Sequence, residues 1–348
     1  MAKLLFLSLL LQTCFTLSLC LSNIPALLVF GDSTVDTGNN NYISTSLKAN
    51  HTPYGLNFNG GAATGRFSDG RLVPDLLASA LSIKKIIPPF LDPRLSDEDI
   101  RTGVCFASAG SGFDDLTTVA SGVIPVSKQT DMLKQYLERL KKIVGEKEAS
   151  YITSNALIVI SAGTNDFIFN FYDIPTRTVQ YNIYGYQDFL LGNIKYLIQE
   201  IYNRGGRKFI VAGLAPIGCI PIQRTINVLK RSCKEEENSD ASIYNSKLQT
   251  LLTQLQASLP GSRFGYVDIF NPATDMFNNP SKYGFEETTR GCCGTGYMEM
   301  GPSCTLSLSS PCSDPSKFMF WDAVHPSQAV CKVITQKLLD DVIPTLYN

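Results

Sequence analysis

Short apolar runs alternate along this chain with longer stretches in which apolar residues return every three or four positions. Residues 26–30 (ALLVF) make one such run and stop at Gly31. Residues 155–161 (NALIVIS), 207–212 (RKFIVA) and 263–269 (RFGYVDI) repeat the pattern, and residues 104–107 offer a shorter fifth run. Continuous runs of this length fit strands covered on both faces. Between them, Met132, Leu133, Tyr136, Leu137, Leu140, Ile143 and Val144 form a helical stripe closed by Gly145. A second stripe runs from Phe189 to Ile201 before Gly205-Gly206, and a third from Ile243 to Leu259 before Pro260-Gly261. Such stripes are core faces of helices. The charged residues 234–237 read as a solvated helix start. Strand and helix in alternation predict an α/β fold, a parallel sheet with helices on both faces. Residues 38–69, rich in Asn and Gly, read as a long ordered loop of the kind that often carries function.

The chain has 348 residues and a formal net charge of −1. That balance gives no reason to expect nucleic acid or an anionic membrane as partner. Length alone would allow two domains, yet no linker or repeat divides the sequence, so residues 23–348 are expected to form one domain. Residues 1–22 carry Lys3, an apolar run from Leu4 to Cys20, and small residues near the end. This is the layout of a secretory signal peptide. A membrane anchor fits less well, because Gln12, Thr13 and Thr16 interrupt the run. No later stretch is long and apolar enough to span a bilayer. Ten cysteines are present, two of them in the leader. In a secreted chain the remaining eight imply disulfides. Cys219 with Cys233 is the expected short loop, with two further bridges among Cys292, Cys293, Cys304 and Cys312. Zinc is disfavoured, since there is no CxxC pair and only two histidines. Asn50-His51-Thr52 is a glycosylation acceptor that suits secretion.

In open α/β sheets ligands sit beyond the carboxyl ends of the strands, so the residues there are the candidates for chemistry. Ser33 follows the first run in Gly31-Asp32-Ser33-Thr34. Taken alone it is an ordinary helix cap. A serine nucleophile needs a base, and the chain offers only His51 and His325. His325 has Asp322 three residues before it, a spacing that lets a turn set a carboxylate against one imidazole nitrogen. An isolated Asp-x-x-His is also a common surface turn; the scarcity of histidine is what ties it to Ser33. Two further strand ends supply donors for an oxyanion: the loop around Gly110 and Gly112, and Asn165 after Gly163-Thr164. In isolation these read as turn glycines and an Asx turn. No serine sits in the Gly-x-Ser-x-Gly elbow of the α/β-hydrolases.

Together these blocks resemble the GDSL-type esterases/lipases of the SGNH hydrolase superfamily, and most of all its large secreted plant branch. The resemblance rests on GDSTVDTGNNN (31–41), GRFSDG (65–70), FASAGSG (106–112), GTND (163–166), GFEETTRGCCGTG (284–296) and DAVHP (322–326). It implies a three-layer α/β/α sandwich with a mainly parallel, flavodoxin-like sheet. It implies Ser33 as nucleophile, His325 as base and Asp322 as its partner, with an oxyanion hole of the Ser33 N–H, the Gly110 N–H and the Asn165 amide. No metal or organic cofactor is implied, and a monomer is expected. The resemblance to the plant branch further implies secretion to the cell wall or apoplast, with an acyl-lipid, acetyl-glycan or phenolic ester as partner. An acyltransferase using the same site, or an inactive binding protein, are the alternatives left open. One position departs from the family motif: Thr34 stands where the family has Leu, which bears on packing or substrate fit. Residues 38–69 and 167–186 are expected to shape the pocket.

Overall fold

The computed structural model describes residues 24–226, 231–307 and 310–347. The leader expected at 1–22 lies outside the described residues. The main sheet contains β1 (Leu27–Gly31), β2 (Leu157–Ser161), β3 (Lys208–Ala212) and β4 (Arg263–Val267), all parallel and in that spatial order. Gly31 pairs with Ser161, so the carboxyl ends of β1 and β2 lie side by side.

The fifth run, residues 104–107, is shorter than a strand but sits in a strand's place. Phe106 N–H donates to Val29 O (2.7 Å) and Val29 N–H to Val104 O (3.2 Å) on the free side of β1. On its other side Cys105 pairs only with Pro88–Phe90. Proline has no N–H to extend a ladder there, which limits this segment to isolated bridges. Counted in, it gives the order 2-1-3-4-5, the flavodoxin-like arrangement. The chain reverses direction across the sheet at β1, and Ser33 lies just beyond this switch point.

Helices cover both faces. On one face lie α2 (Val126–Val144), α4 (Ile183–Asn203) and α5 (Glu235–Ser258), packed in sequence; α3 (Glu146–Asn155) leads from α2 into β2. On the other lie α1 (Val73–Ala80), α6 (Phe270–Asn278) and α7 (Gln328–Lys337), with the C-terminal turns 338–346 against β4. The three stripes expected from the sequence fall in α2, α4 and α5. Each helix begins earlier than its stripe: the added turns of α5 are polar, whereas α2 opens on buried Val126 and α4 on Ile183 and buried Tyr186. The start of α5 is only partly solvated: Glu235 and Glu236 are exposed, but Glu237 is buried and pairs with Lys234 at 2.9 Å. Strand β4 is an edge strand with alternating exposure, so it is not covered on both faces as its run suggested.

A second unit of structure was not visible in the pattern. β5 (Glu287–Gly291) and β6 (Phe318–Phe320) form a small parallel ladder. Around it Cys292–Cys312 and Cys293–Cys304 close loops of 20 and 11 residues, and Cys219–Cys233 closes one of 14. The pairings agree with expectation. Loops of this size restrict the unfolded chain by roughly 3 kcal/mol each on the chain-entropy model. Cys105 and Cys331 remain free and buried, with thiols pushed up to about 12 by desolvation. Cys292–Cys312 and Cys293–Cys304 pack with Tyr54, Phe67 and Trp321 in a small apolar cluster apart from the main core. Among the described residues no helix is long and apolar enough to cross a membrane.

Candidate active site

Strand β1 ends at Gly31, and Asp32 to Asp36 make a single helical turn that stops there; no regular helix follows until α1. Ser33 is therefore not a helix cap. Its hydroxyl donates to His325 Nε2 at 2.8 Å. His325 Nδ1–H donates to Asp322 Oδ2 at 2.7 Å and lies 2.8 Å from Oδ1. All three side chains are buried.

Local chain chemistry explains the second half of this chain of bonds. β6 delivers Trp321, and Trp321 N–H closes the turn onto His325 O at 2.8 Å. Inside it Asp322 Oδ1 accepts from the N–H groups of Val324 (2.9 Å) and His325 (2.7 Å). An aspartate that binds the backbone two and three residues on is the usual way such a turn is fixed. The same carboxylate thus holds both the backbone and the ring of His325. The fourth donor to Asp322 was not foreseen. Tyr54 O–H donates to Oδ2 at 2.6 Å and accepts from Gly301 N–H at 2.7 Å. Burial and the neighbouring Asp322 push the Tyr54 phenol well above its ordinary value, so it remains a donor. A link spanning 268 residues leaves no signal in spacing.

The first half depends on the turn after β1. Gln129, from α2, grips Gly31 at both ends, accepting from its N–H and donating to its carbonyl, each at 2.8 Å. Ser108 N–H and Ser111 Oγ–H also donate to Gly31 O, at 3.0 and 2.9 Å. The loop that carries Gly110 is thereby clamped to the turn that carries Ser33. Asp36 reinforces it by accepting from Ala109 N–H at 2.9 Å. Asn39 and Asn40 tie the same loop down through Cys105 O, Ala107 O and Ala109 O. The GNNN block is thus a brace, a role its composition alone did not reveal.

Gly110 has φ +84°, which L side chains rarely adopt. The N–H groups of Ser33 and Gly110 donate to no acceptor within the described residues. Asn165 donates one amide hydrogen to Ser111 O at 2.9 Å, which fixes its plane and leaves the second hydrogen available. Asn165 and Ser33 line one cavity. Asp166 accepts from Phe113 N–H, Asp114 N–H and Thr117 O–H; burial nevertheless pushes its carboxyl up to about 7. Gly112 must lack a side chain, because a Cβ there would lie 2.1 Å from Asp166 Oδ1. Asp32 is also raised, to about 6, by desolvation against the opposing bonds from Thr34.

Thr34 now has a reason. Its hydroxyl donates to Asp32 Oδ1 at 2.7 Å and lies 3.1 Å from Ser161 Oγ, a polar bridge between the ends of β1 and β2. His51, by contrast, is not brought to the site; its ring rests edge-on against Tyr54. The two loops expected to shape the pocket do not line the cavity beside Ser33. The 38–69 loop instead backs the histidine: Phe67 packs on the His325 ring with centroids 4.9 Å apart. In 167–186 Phe167 packs against Tyr172 and against Tyr186 of α4.

A serine, histidine and aspartate joined by hydrogen bonds at the switch point of a flavodoxin-like sheet describe the serine-hydrolase arrangement of the three-layer α/β/α class. The chain belongs to the GDSL-like lipase/acylhydrolase family, whose model matches residues 27–338. It is similar to GDSL esterase/lipase At2g30220 of Arabidopsis thaliana, 54% identical over 89% of this chain and 87% of that protein. It is also similar to At1g06990 (51%, covering 93% and 91%) and At2g40250 (46%, covering 93% and 91%), both named GDSL esterase/lipase and from the same plant. The protein is accordingly a carboxylic ester hydrolase of this family.

Proposed function

We propose that Ser33 is the nucleophile of this hydrolase. The observation that carries the reading is the unbroken series from Asp322 through His325 to the Ser33 hydroxyl, opening on an apolar cavity. His325 Nε2 takes the Ser33 proton as Oγ attacks the ester carbonyl carbon. The carbonyl oxygen becomes an oxyanion held by the N–H groups of Ser33 and Gly110 and the free amide hydrogen of Asn165. His325 then gives the proton to the leaving alcohol, and the C–O bond to it breaks. A water attacks the Ser33 ester by the same route, His325 taking its proton and returning it to Oγ, and the acid departs. Asp322 orients and steadies the imidazolium at each stage.

We further infer that the protein is secreted as one catalytic domain. The leader-like residues 1–22, three disulfides and the exposed acceptor Asn50 support this. The decisive experiment is Ser33→Ala. The folded variant is expected to lose hydrolysis of p-nitrophenyl acetate and labelling by a fluorophosphonate probe. Retained activity or labelling in the folded variant removes Ser33 from the mechanism.

A further inference from the structure

The cavity beside Ser33 has a volume of about 170 Å³. Its polarity is divided. Asp32, Ser33, Thr34, Ser161, Thr164 and Asn165 line it at the ends of β1 and β2. The one charged residue among them, Asp32, is bonded to Thr34. Beyond that rim the lining is apolar. Val159 and its register partner Ile210 line it from the sheet, with Ala212 and its partner Val267 two residues nearer the carboxyl ends. Ala273 and Met276 of α6, with Val330 and Ile334 of α7, form the opposite wall. Folded interiors ordinarily close such gaps to native packing density. Here the sheet and the C-terminal helices stay apart, and the small side chain of Ala273 helps keep the space open.

Orientation follows from His325. The leaving alcohol has to lie against His325 Nε2, which protonates it. Val324 and Pro326 line the cavity, but His325 itself does not. The cavity therefore receives the other half of the ester. Acetylated sugars and other short acyl groups would leave it empty, and a polar group would meet no partner beyond the rim.

We propose that this cavity is an acyl-chain subsite for straight alkyl chains well beyond acetyl, and that Ala273 and Val330 set the length accepted. The proposal rests on Ser33 as nucleophile. Its test is kcat/KM of the full-length secreted protein on p-nitrophenyl acetate, butyrate, octanoate and laurate, beside butyl and octyl acetate. The wild type is expected to gain up to about fourfold per added methylene along the acyl series, with no comparable gain along the alcohol series. Ala273→Leu is expected to cost octanoate and laurate at least tenfold more than acetate. Val330→Phe, from the facing helix, repeats the test should Ala273→Leu fold poorly. A flat or falling acyl series, a gain that follows the alcohol chain, or an equal loss on every ester in both variants overturns the subsite. In each of these cases acetate hydrolysis and Ser33 labelling persist, which separates failure of the subsite from failure of the nucleophile assignment.

Discussion

Replacing Tyr54 by Phe removes one oxygen that contacts neither substrate nor Ser33. Its phenol supplies one of the bonds to the buried Asp322 carboxylate and is the acceptor for Gly301 N–H. A hydrogen bond to a charged group contributes about 1.5–3 kcal/mol. Asp322 keeps its bonds from Val324, His325 and the imidazole, so the turn survives while the carboxylate loses its outer restraint. The imidazole it orients then samples positions off the line to Ser33, and misplacement of this kind costs about 100-fold at the extreme. We expect kcat to fall about 10- to 100-fold with KM nearly unchanged, because no substrate contact is lost. The orphaned Gly301 N–H should also lower stability, by about 1–3 kcal/mol. The assay is steady-state hydrolysis of p-nitrophenyl acetate beside a urea unfolding curve, with activity normalised to folded protein. A kcat within about twofold of wild type would refute the reasoning. So would a loss carried wholly by KM, or one that disappears after normalisation; either would make Tyr54 a packing residue only.

Two further outcomes follow from the same geometry. Asn165→Ala should cost about 100- to 1,000-fold in kcat, roughly 3 kcal/mol of transition-state stabilisation, with little change in KM; a loss below tenfold would take Asn165 out of the oxyanion hole. Asp166 has a folded pKa of about 7 against an ordinary 3.8, so the folded state holds its proton more tightly than the unfolded chain. That contribution to stability is complete below the ordinary value and is lost as pH rises through about 7. The melting-temperature advantage of wild type over Asp166→Asn should therefore shrink between about pH 4 and pH 7 and level off above, and an advantage independent of pH would contradict the burial argument.

The sequence by itself determined the layers and the ends of the strands. Apolar runs stop at Gly31, Ser161 and Ala212 because each strand must leave the core there, and side-chain period records burial directly. It also tied Asp322 to His325, since a three-residue turn is a local object, and it pointed to Ser33 because only two histidines exist to serve it. The Cys219–Cys233 pairing was legible for the same reason, its short loop, whereas the choice of partners among Cys292, Cys293, Cys304 and Cys312 was not. What the tertiary structure alone decided lies at long range. Tyr54 reaches Asp322, Gln129 grips Gly31, and Asp36 with Asn39 and Asn40 braces the Gly110 loop, none of which spacing encodes. The cavity is the clearest case. Aromatic loops looked like its walls, yet it is bounded by ordinary core residues of the sheet, α6 and α7. A space is defined by what packing leaves unfilled, and a side chain lining it carries the same apolar pattern as one that fills a core.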